Sequence, residues 1–249
     1  QWAGDTFEKK NRFAASSIRE ILFSPNEEYI LTWNGATLAD GEHADKAYKV
    51  FDVRTGELKK ELKTPEAAPD PDKETGFPHF LWSPDSKYIA RMSNKYVYVM
   101  DVAMNFKLLP APNKLDKFYG KVKSDEKIKG EPISCDGITA FSWSPTENVI
   151  ATWIPEDQAK DKPGKLEIRE IPSRNILASK NFYSVGEVTM FWQSQGEYLA
   201  LMYSKLSKSG KSASSAVVVF AMKKKNVPVE TVQFKGEIKH FAWEPRGSR

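Results

Sequence analysis

Three histidines, His43, His79 and His240, and one cysteine, Cys135, are the soft metal ligands that 249 residues offer. None has a second Cys or His three to five positions away, so the spacing of a zinc site is missing, and neither a metal nor any other cofactor is expected. Gly210-Lys211-Ser212 looks like the end of a phosphate-binding loop, but Lys205 stands where its first glycine must be. That segment reads as a Ser/Lys-rich hairpin loop. A serine nucleophile on a strand-to-helix turn would need Gly-x-Ser-x-Gly, and the sequence contains no such run.

What remains is cationic. Lys114, Lys117, Lys121, Lys123, Lys127 and Lys129 are interleaved with Phe118 and Tyr119, and a second set comprises Lys205, Lys208, Lys211, Lys223, Lys224 and Lys225. Lysines mixed with aromatics on a mobile loop can follow an RNA backbone by charge and stack on exposed bases. The alternative is a solvated insertion, since Asp116, Asp125 and Glu126 dilute the first set. Both segments are candidate RNA or ribosome contacts.

Positioning those side chains falls to a repeat. An aromatic, then Ser-Pro or its like, then a polar turn and Tyr-Ile/Leu-Ala recur around Phe23, Trp82, Trp143, Trp192 and Trp243, roughly every fifty to sixty residues. The fourth copy, Trp192-Gln193-Ser194, has lost its proline. Further strand-like runs follow each copy: Tyr48 to Asp52, Tyr96 to Asp101, Leu166 to Arg169 and Val217 to Phe220 as third strands. Leu58 to Leu62, Lys107 to Leu109, Ile176 to Lys180 and Val229 to Phe234 are the outer ones. Turn formers at 54–57, 172–175 and 223–226 join third strands to outer strands.

Four short antiparallel strands per unit, without helical periodicity between them, predict an all-β chain of WD40-like β-propeller blades. The expected blades are 18–76, 77–137, 138–187 and 188–237, with 1–17 ending a preceding blade and 238–249 beginning the next. A lone blade cannot bury both faces, so the aromatic, expected at the start of each second strand, should fill the space between blades. Asp52 and Asp101, ending third strands, are expected to cap tight turns rather than to catalyse. The acidic, proline-rich stretch 65–74 reads as nearly disordered. A start at Gln1 and a repeat cut off after Trp243 suggest a segment of a longer chain.

Composition agrees with a soluble fold. The chain has 40% hydrophobic and 28% charged residues, and 37 basic against 33 acidic groups leave a net charge of only +4, which alone does not argue for nucleic acid. No apolar run is long enough for a membrane span and the N-terminus lacks a signal-peptide core. A single cysteine and the absence of an Asn-x-Ser/Thr acceptor fit a reducing compartment, so the cytoplasm is expected.

Across its length the sequence resembles the B subunit of eukaryotic translation initiation factor 3. The likeness is carried by Trp2-Ala3-Gly4 leading to Arg12-Phe13, by Phe23-Ser24-Pro25-Asn26-Glu27, and by Phe80-Leu81-Trp82-Ser83-Pro84-Asp85 with Ala90-Arg91-Met92. Phe141-Ser142-Trp143-Ser144-Pro145, Trp153-Ile154-Pro155-Glu156-Asp157, Val227-Pro228-Val229-Glu230 and Phe241-Ala242-Trp243-Glu244-Pro245 continue it. The resemblance implies a nine-bladed propeller in a multi-subunit scaffold on the small ribosomal subunit. Its partners would be other factor subunits, ribosomal protein and rRNA, with no membrane and no small-molecule substrate. The stretch from Pro110 to Pro132 is longer than the family pattern leads one to expect.

Two other readings share the repeat. Trp82-Ser83-Pro84-Asp85-Ser86-Lys87-Tyr88-Ile89-Ala90 also resembles blades of propellers attached to prolyl-type serine peptidases, and a generic WD-type adaptor would differ from the translation scaffold only in its partner.

Overall fold

The structure is a computed structural model describing residues 2–3, 8–9, 12–36, 46–64, 79–93, 95–123, 127–206 and 212–245. The chain divides into two units, Gln1–Ser134 and Cys135–Arg249, and each is described by itself. The expected features at His43, at 65–74, at Lys208 and at Gly210-Lys211 lie outside the described residues.

In the first unit β1 (Trp2–Ala3) pairs with β2 (Glu8–Lys9), and two larger sheets follow. The first has β3 (Glu20–Phe23), β4 (Tyr29–Trp33), β5 (Tyr48–Asp52) and β6 (Leu58–Leu62) in sequential antiparallel order. The second repeats this meander with β7 (Phe80–Trp82), β8 (Tyr88–Met92), β9 (Tyr96–Asp101) and β10 (Lys107–Leu108), after which a 3-10 turn at Pro112–Lys114 runs into a single helical turn, α1 (Leu115–Phe118). The chain returns through β11 (Ile133–Ser134), which joins the same edge of β9 as β10 does.

The second unit holds two more four-stranded meanders. One is β12 (Ala140–Trp143), β13 (Val149–Ile154), β14 (Gly164–Glu170) and β15 (Ile176–Phe182); the other is β16 (Val185–Trp192), β17 (Tyr198–Leu206), β18 (Ser212–Ala221) and β19 (Val229–Phe234). Each of these large sheets is built on a sequential antiparallel meander of four strands, which is the blade unit of a β-propeller.

The strand alternation explains why blades must stack. In the first unit Leu31, Val50, Phe80, Trp82, Ile89 and Met100 are buried in one cluster shared by the two sheets. In the second, Ala151, Trp153, Leu166 and Ile168 from one sheet meet Leu199, Leu201, Val218 and Phe220 from the other. Burying aliphatic and aromatic side chains from two facing sheets supplies the main driving force. The repeat's aromatic enters this layer at Trp82 and Trp192 but not at Phe23, which is exposed. It ends the first strand, as Phe23, Trp82, Trp143 and Trp192 show, rather than starting the second. The Ser-Pro turn, not a strand, follows it.

That turn has a specific chemistry. Ser83 Oγ accepts from Tyr88 N at 2.9 Å and donates to Asp85 Oδ1 at 2.9 Å, while Asp85 Oδ1 also accepts from Lys87 N at 3.0 Å. Ser24 repeats the arrangement with Tyr29 N at 2.9 Å and Asn26 Oδ1 at 2.7 Å. Both serines are fully buried, so a residue that accepts a backbone N–H within a tight turn is needed there. Gln193, which replaces serine in the fourth copy, bonds differently: its Oε1 accepts from Gln195 N and Glu197 N, and the second of these bonds corresponds to the one that Asp85 accepts from Lys87 N. Three residues after Ser24, Ser83 and Gln193 come the left-handed residues Glu27, Ser86 and Gly196.

Candidate nucleic-acid interface

The lysine-rich insertion grows from a split outer strand. β10 pairs with β9 at Asp101 and Met100, β11 pairs with it at Val97 and Tyr96, and Leu109 N donates to Val99 O at 2.9 Å between them. The insertion therefore leaves and rejoins one strand edge. Its two ends are tied by Glu131 N donating to Leu109 O at 2.9 Å, and Gly130 allows this approach. A Cβ at that position would sit 2.5 Å from Leu108 Cβ and 2.7 Å from its carbonyl oxygen.

This ordered geometry differs from the mobile loop expected. Phe118 is buried and packs edge-on against Tyr119, centroids 5.1 Å apart. The Tyr119 hydroxyl donates to Asp101 Oδ2 at 2.8 Å. Both rings fasten the insertion to the blade and are not presented for stacking on bases, because a helical turn this short is stable only when packed. Asp101 itself is buried and also accepts from Met104 N at 2.9 Å, as Asp52 accepts from Thr55 N at 2.8 Å, so both aspartates cap turns as their positions suggested. The backbone N–H of Thr55 is the main reason the Asp52 carboxyl titrates below its ordinary range. Burial, with Tyr88 and Asp101 adjoining, pushes the Tyr119 phenol far up, so it stays a neutral donor.

With the rings turned inward, the insertion presents charge. Lys117, Lys121, Lys123, Lys127 and Lys129 are exposed and Lys114 is half-buried. Lys121 lies 3.4 Å from Asp116, a pair too exposed to neutralise the face. The second set is dispersed within its own unit. Lys205 is half-buried on β17, whereas Lys223, Lys224 and Lys225 sit exposed in the turn from β18 to β19, with Lys223 paired to Glu147.

Sequence reading missed how neighbouring turns join. Asn26 N donates to Ser86 Oγ at 3.0 Å in the first unit, and Thr146 Oγ1 donates to Gln195 O at 3.2 Å in the second. Each bond runs from one Ser-Pro-type turn to the corresponding turn of the next blade. It missed as well the ionic cluster on β14, where Glu167 is buried between Lys165 Nζ at 2.6 Å and the Arg169 guanidinium. Burial alone would raise the Glu167 carboxyl, but the Lys165 hydrogen bond and the Arg169 charge outweigh it and hold it below its ordinary value. The i, i+2 spacing of these three residues on a strand was the available signal.

His79 is half-buried, and its Nδ1 and the Tyr48 hydroxyl are hydrogen-bonded to each other. His240 is exposed. Among the described residues no group of three His, Cys, Asp or Glu could hold a metal ion, and no helix is long and apolar enough to cross a membrane.

The family described as "Eukaryotic translation initiation factor eIF2A" matches residues 180–249. The B subunit of eukaryotic translation initiation factor 3 from Culex quinquefasciatus is 33% identical over 258 aligned positions, which cover 100% of this chain and 32% of that protein. Its namesake from Arabidopsis thaliana is 32% identical, covering 100% and 34%. The chain thus spans about a third of the length of the curated relatives it matches. A solved structure described as "Crystal structure of the eukaryotic initiation factor" aligns with a TM-score of 0.57 at 20% identity, over 93% of this chain and 56% of that one. The Pyrococcus horikoshii acylaminoacyl peptidase aligns with a TM-score of 0.51 at 10% identity, over 88% and 32%, a likeness of fold alone. Blades of four strands and a sequence match along the whole chain lead to one assignment: this β-propeller chain is a relative of the B subunit of eukaryotic translation initiation factor 3.

Proposed function

We propose that the chain is a non-catalytic scaffold segment of a translation initiation factor. In this reading its protein assembles with the other subunits of the factor 3 complex in the cytoplasm and docks on the small ribosomal subunit through ribosomal protein and rRNA. The observation that carries the reading is the match to the Culex quinquefasciatus factor at 33% identity over all of this chain. The architecture supports it, because stacked blades are stiff, protect their strand edges and present loops for docking.

The blades are read as 18–76, 77–137, 138–187 and 188–237, with partial blades at 1–17 and 238–249, in a ring of nine. The exposed lysines of the insertion and of the 223–225 turn contribute a sequence-independent attraction to rRNA. The peptidase reading gains nothing from the likeness to an acylaminoacyl peptidase at 10% identity. Sedimentation of the whole protein with purified small ribosomal subunits, across a salt series, tests the proposal. Binding that weakens as salt rises supports it, and absence of cosedimentation contradicts it.

A further inference from the structure

In the first unit, the rim between the two large sheets holds a small open pocket of about 170 Å³, lined among the described residues by Leu62, Lys63, Phe80, Arg91, Tyr98, Met100, Phe106 and Leu108. Its floor is apolar. Phe80, Met100 and Phe106 are buried members of the shared core, so the pocket cannot close by side-chain collapse without disturbing the packing beneath it. Its wall continues as a ladder on one face of β9. The Arg91 guanidinium lies over the Tyr98 ring with Cζ 4.0 Å from the centroid, and Tyr98 meets Tyr96 edge-on at 6.0 Å and 67°. Tyr96 is exposed at the open end.

Two features of this ladder stand out on a strand whose other residues are buried, with Tyr96 exposed and Tyr98 half-buried. Aromatic rings stand at i and i+2 with a guanidinium stacked on one of them, and no carboxylate lines the pocket among the described residues. Aromatic residues that face solvent two apart on a strand are the arrangement with which a sheet stacks successive bases of single-stranded RNA, and a cation beside them meets the backbone. An acidic peptide would also find Lys63 and Arg91, but it would have no use for the paired rings. From this geometry we infer that Tyr98 and Tyr96, with Arg91 and Lys63, form a stacking site for unpaired bases of single-stranded RNA, one base entering the pocket against Tyr98. The site is separate from the lysine insertion. It rests on the proposed docking function and deepens it, giving the rRNA contact a stacking component that does not depend on charge alone.

The test uses the full 249-residue chain and a fluorescein-labelled ten-residue oligouridine carrying one central 2-aminopurine. The wild type is expected to bind and to quench the 2-aminopurine, because a stacked fluorescent base loses emission. Tyr98→Leu, which keeps an apolar side chain, should weaken binding about tenfold and abolish the quench, as removal of one stacked base does. Tyr98→Phe should restore both, and thermal unfolding of all three proteins serves as the folding control. Replacing Lys121, Lys123, Lys127 and Lys129 with Glu should lower affinity in a salt-dependent way while leaving the quench intact. Oligouridine that binds equally to wild type and Tyr98→Leu without quenching would overturn the stacking site and leave the lysine contact standing. Binding of an aspartate-rich peptide in place of oligouridine would overturn it in favour of a protein partner. Ribosome docking fails separately, by loss of cosedimentation of the whole protein.

Discussion

The ring of Tyr29 lies nearly parallel to that of Trp82, 6.0 Å away at 16°, and joins the second strand of one blade to the first strand of the next. The second unit repeats the relationship between Tyr198 and Trp243, 5.9 Å apart at 26°. Trp243 Nε1 adds a hydrogen bond of 2.9 Å to Phe191 O. Offset stacking of large rings across the seam gives each blade a registered contact with its neighbour, beyond the area it buries. The tyrosine and tryptophan of the repeat are therefore partners across blades, not within one.

Removing Trp82 should loosen that seam more than any surface change. Trp82→Ala leaves a cavity beneath Tyr29 and Phe106, and a loss of about 3 to 5 kcal/mol is expected from the usual cost of emptying an aromatic core site. Urea denaturation followed by tryptophan emission measures it. A loss below about 1 kcal/mol would show that the seam contributes little, since even an ordinary point change costs that much.

The buried turn serine is the second test. Ser83→Ala removes the acceptor of Tyr88 N and leaves that N–H without its partner, which should cost about 1 to 3 kcal/mol. Ser83→Asn supplies an amide oxygen as an acceptor in its place. Rescue by asparagine, read from unfolding midpoints, separates lost hydrogen bonding from lost packing.

Much of this fold was legible in the residues, and the reason is periodic. Outer strands at Leu58–Leu62 and Val229–Phe234 coincide with their expected bounds because apolar residues recur there between clear turn formers. The aromatic was displaced by one element, since a pattern that ends at Trp82 and one that starts there look alike until the Ser83 turn is seen to close on Tyr88. The insertion was misread more deeply. Its lysines and rings give no period, and only the burial of Phe118 and the bond from Tyr119 to Asp101 decide which residues face inward. The bonds from Asn26 to Ser86 and from Thr146 to Gln195 were invisible for a plainer reason, because they depend on how blades stack, which no single repeat encodes.

Two changes should release the insertion without unfolding the blade. Gly130→Ala drives a methyl group into Leu108, and Tyr119→Phe removes one donor to the buried Asp101, at a cost of about 1 to 3 kcal/mol. Hydrogen exchange should then quicken at the amides of Leu109 and Glu131, which close the insertion's neck, while Ile89 and Val99 remain protected. Uniform exchange across β8 and β9 would mean that the insertion is integral to the sheet.

Stability should fall as the solution is acidified below about pH 6.5, the ordinary histidine value. Burial holds His79 below that value, so the unfolded chain takes up a proton that the folded chain resists. The contribution is complete above the unfolded value and is lost as pH falls toward the folded one. Asp52, Asp157 and Glu167, held below ordinary values of 3.8 to 4.5, add a separate loss at lower pH. Thermal melts between about pH 7.5 and 5, which bracket the histidine range, should slope downward in the wild type and be nearly flat in His79→Gln, which keeps a hydrogen-bond partner for Tyr48. Equal slopes would assign the effect elsewhere.

The role proposed for the chain is docking on an RNA-rich surface. It is tested most directly by sedimenting the full-length protein with small ribosomal subunits at rising salt, beside the variant in which Lys121, Lys123, Lys127 and Lys129 are Glu. The expected result is binding at low salt, a linear fall of log affinity with log salt, and a shallower slope in the variant because phosphate contacts are lost. Wild-type protein that fails to sediment with the ribosomal particle at any salt would contradict docking, and a variant that matches the wild type throughout would remove the insertion from the contact.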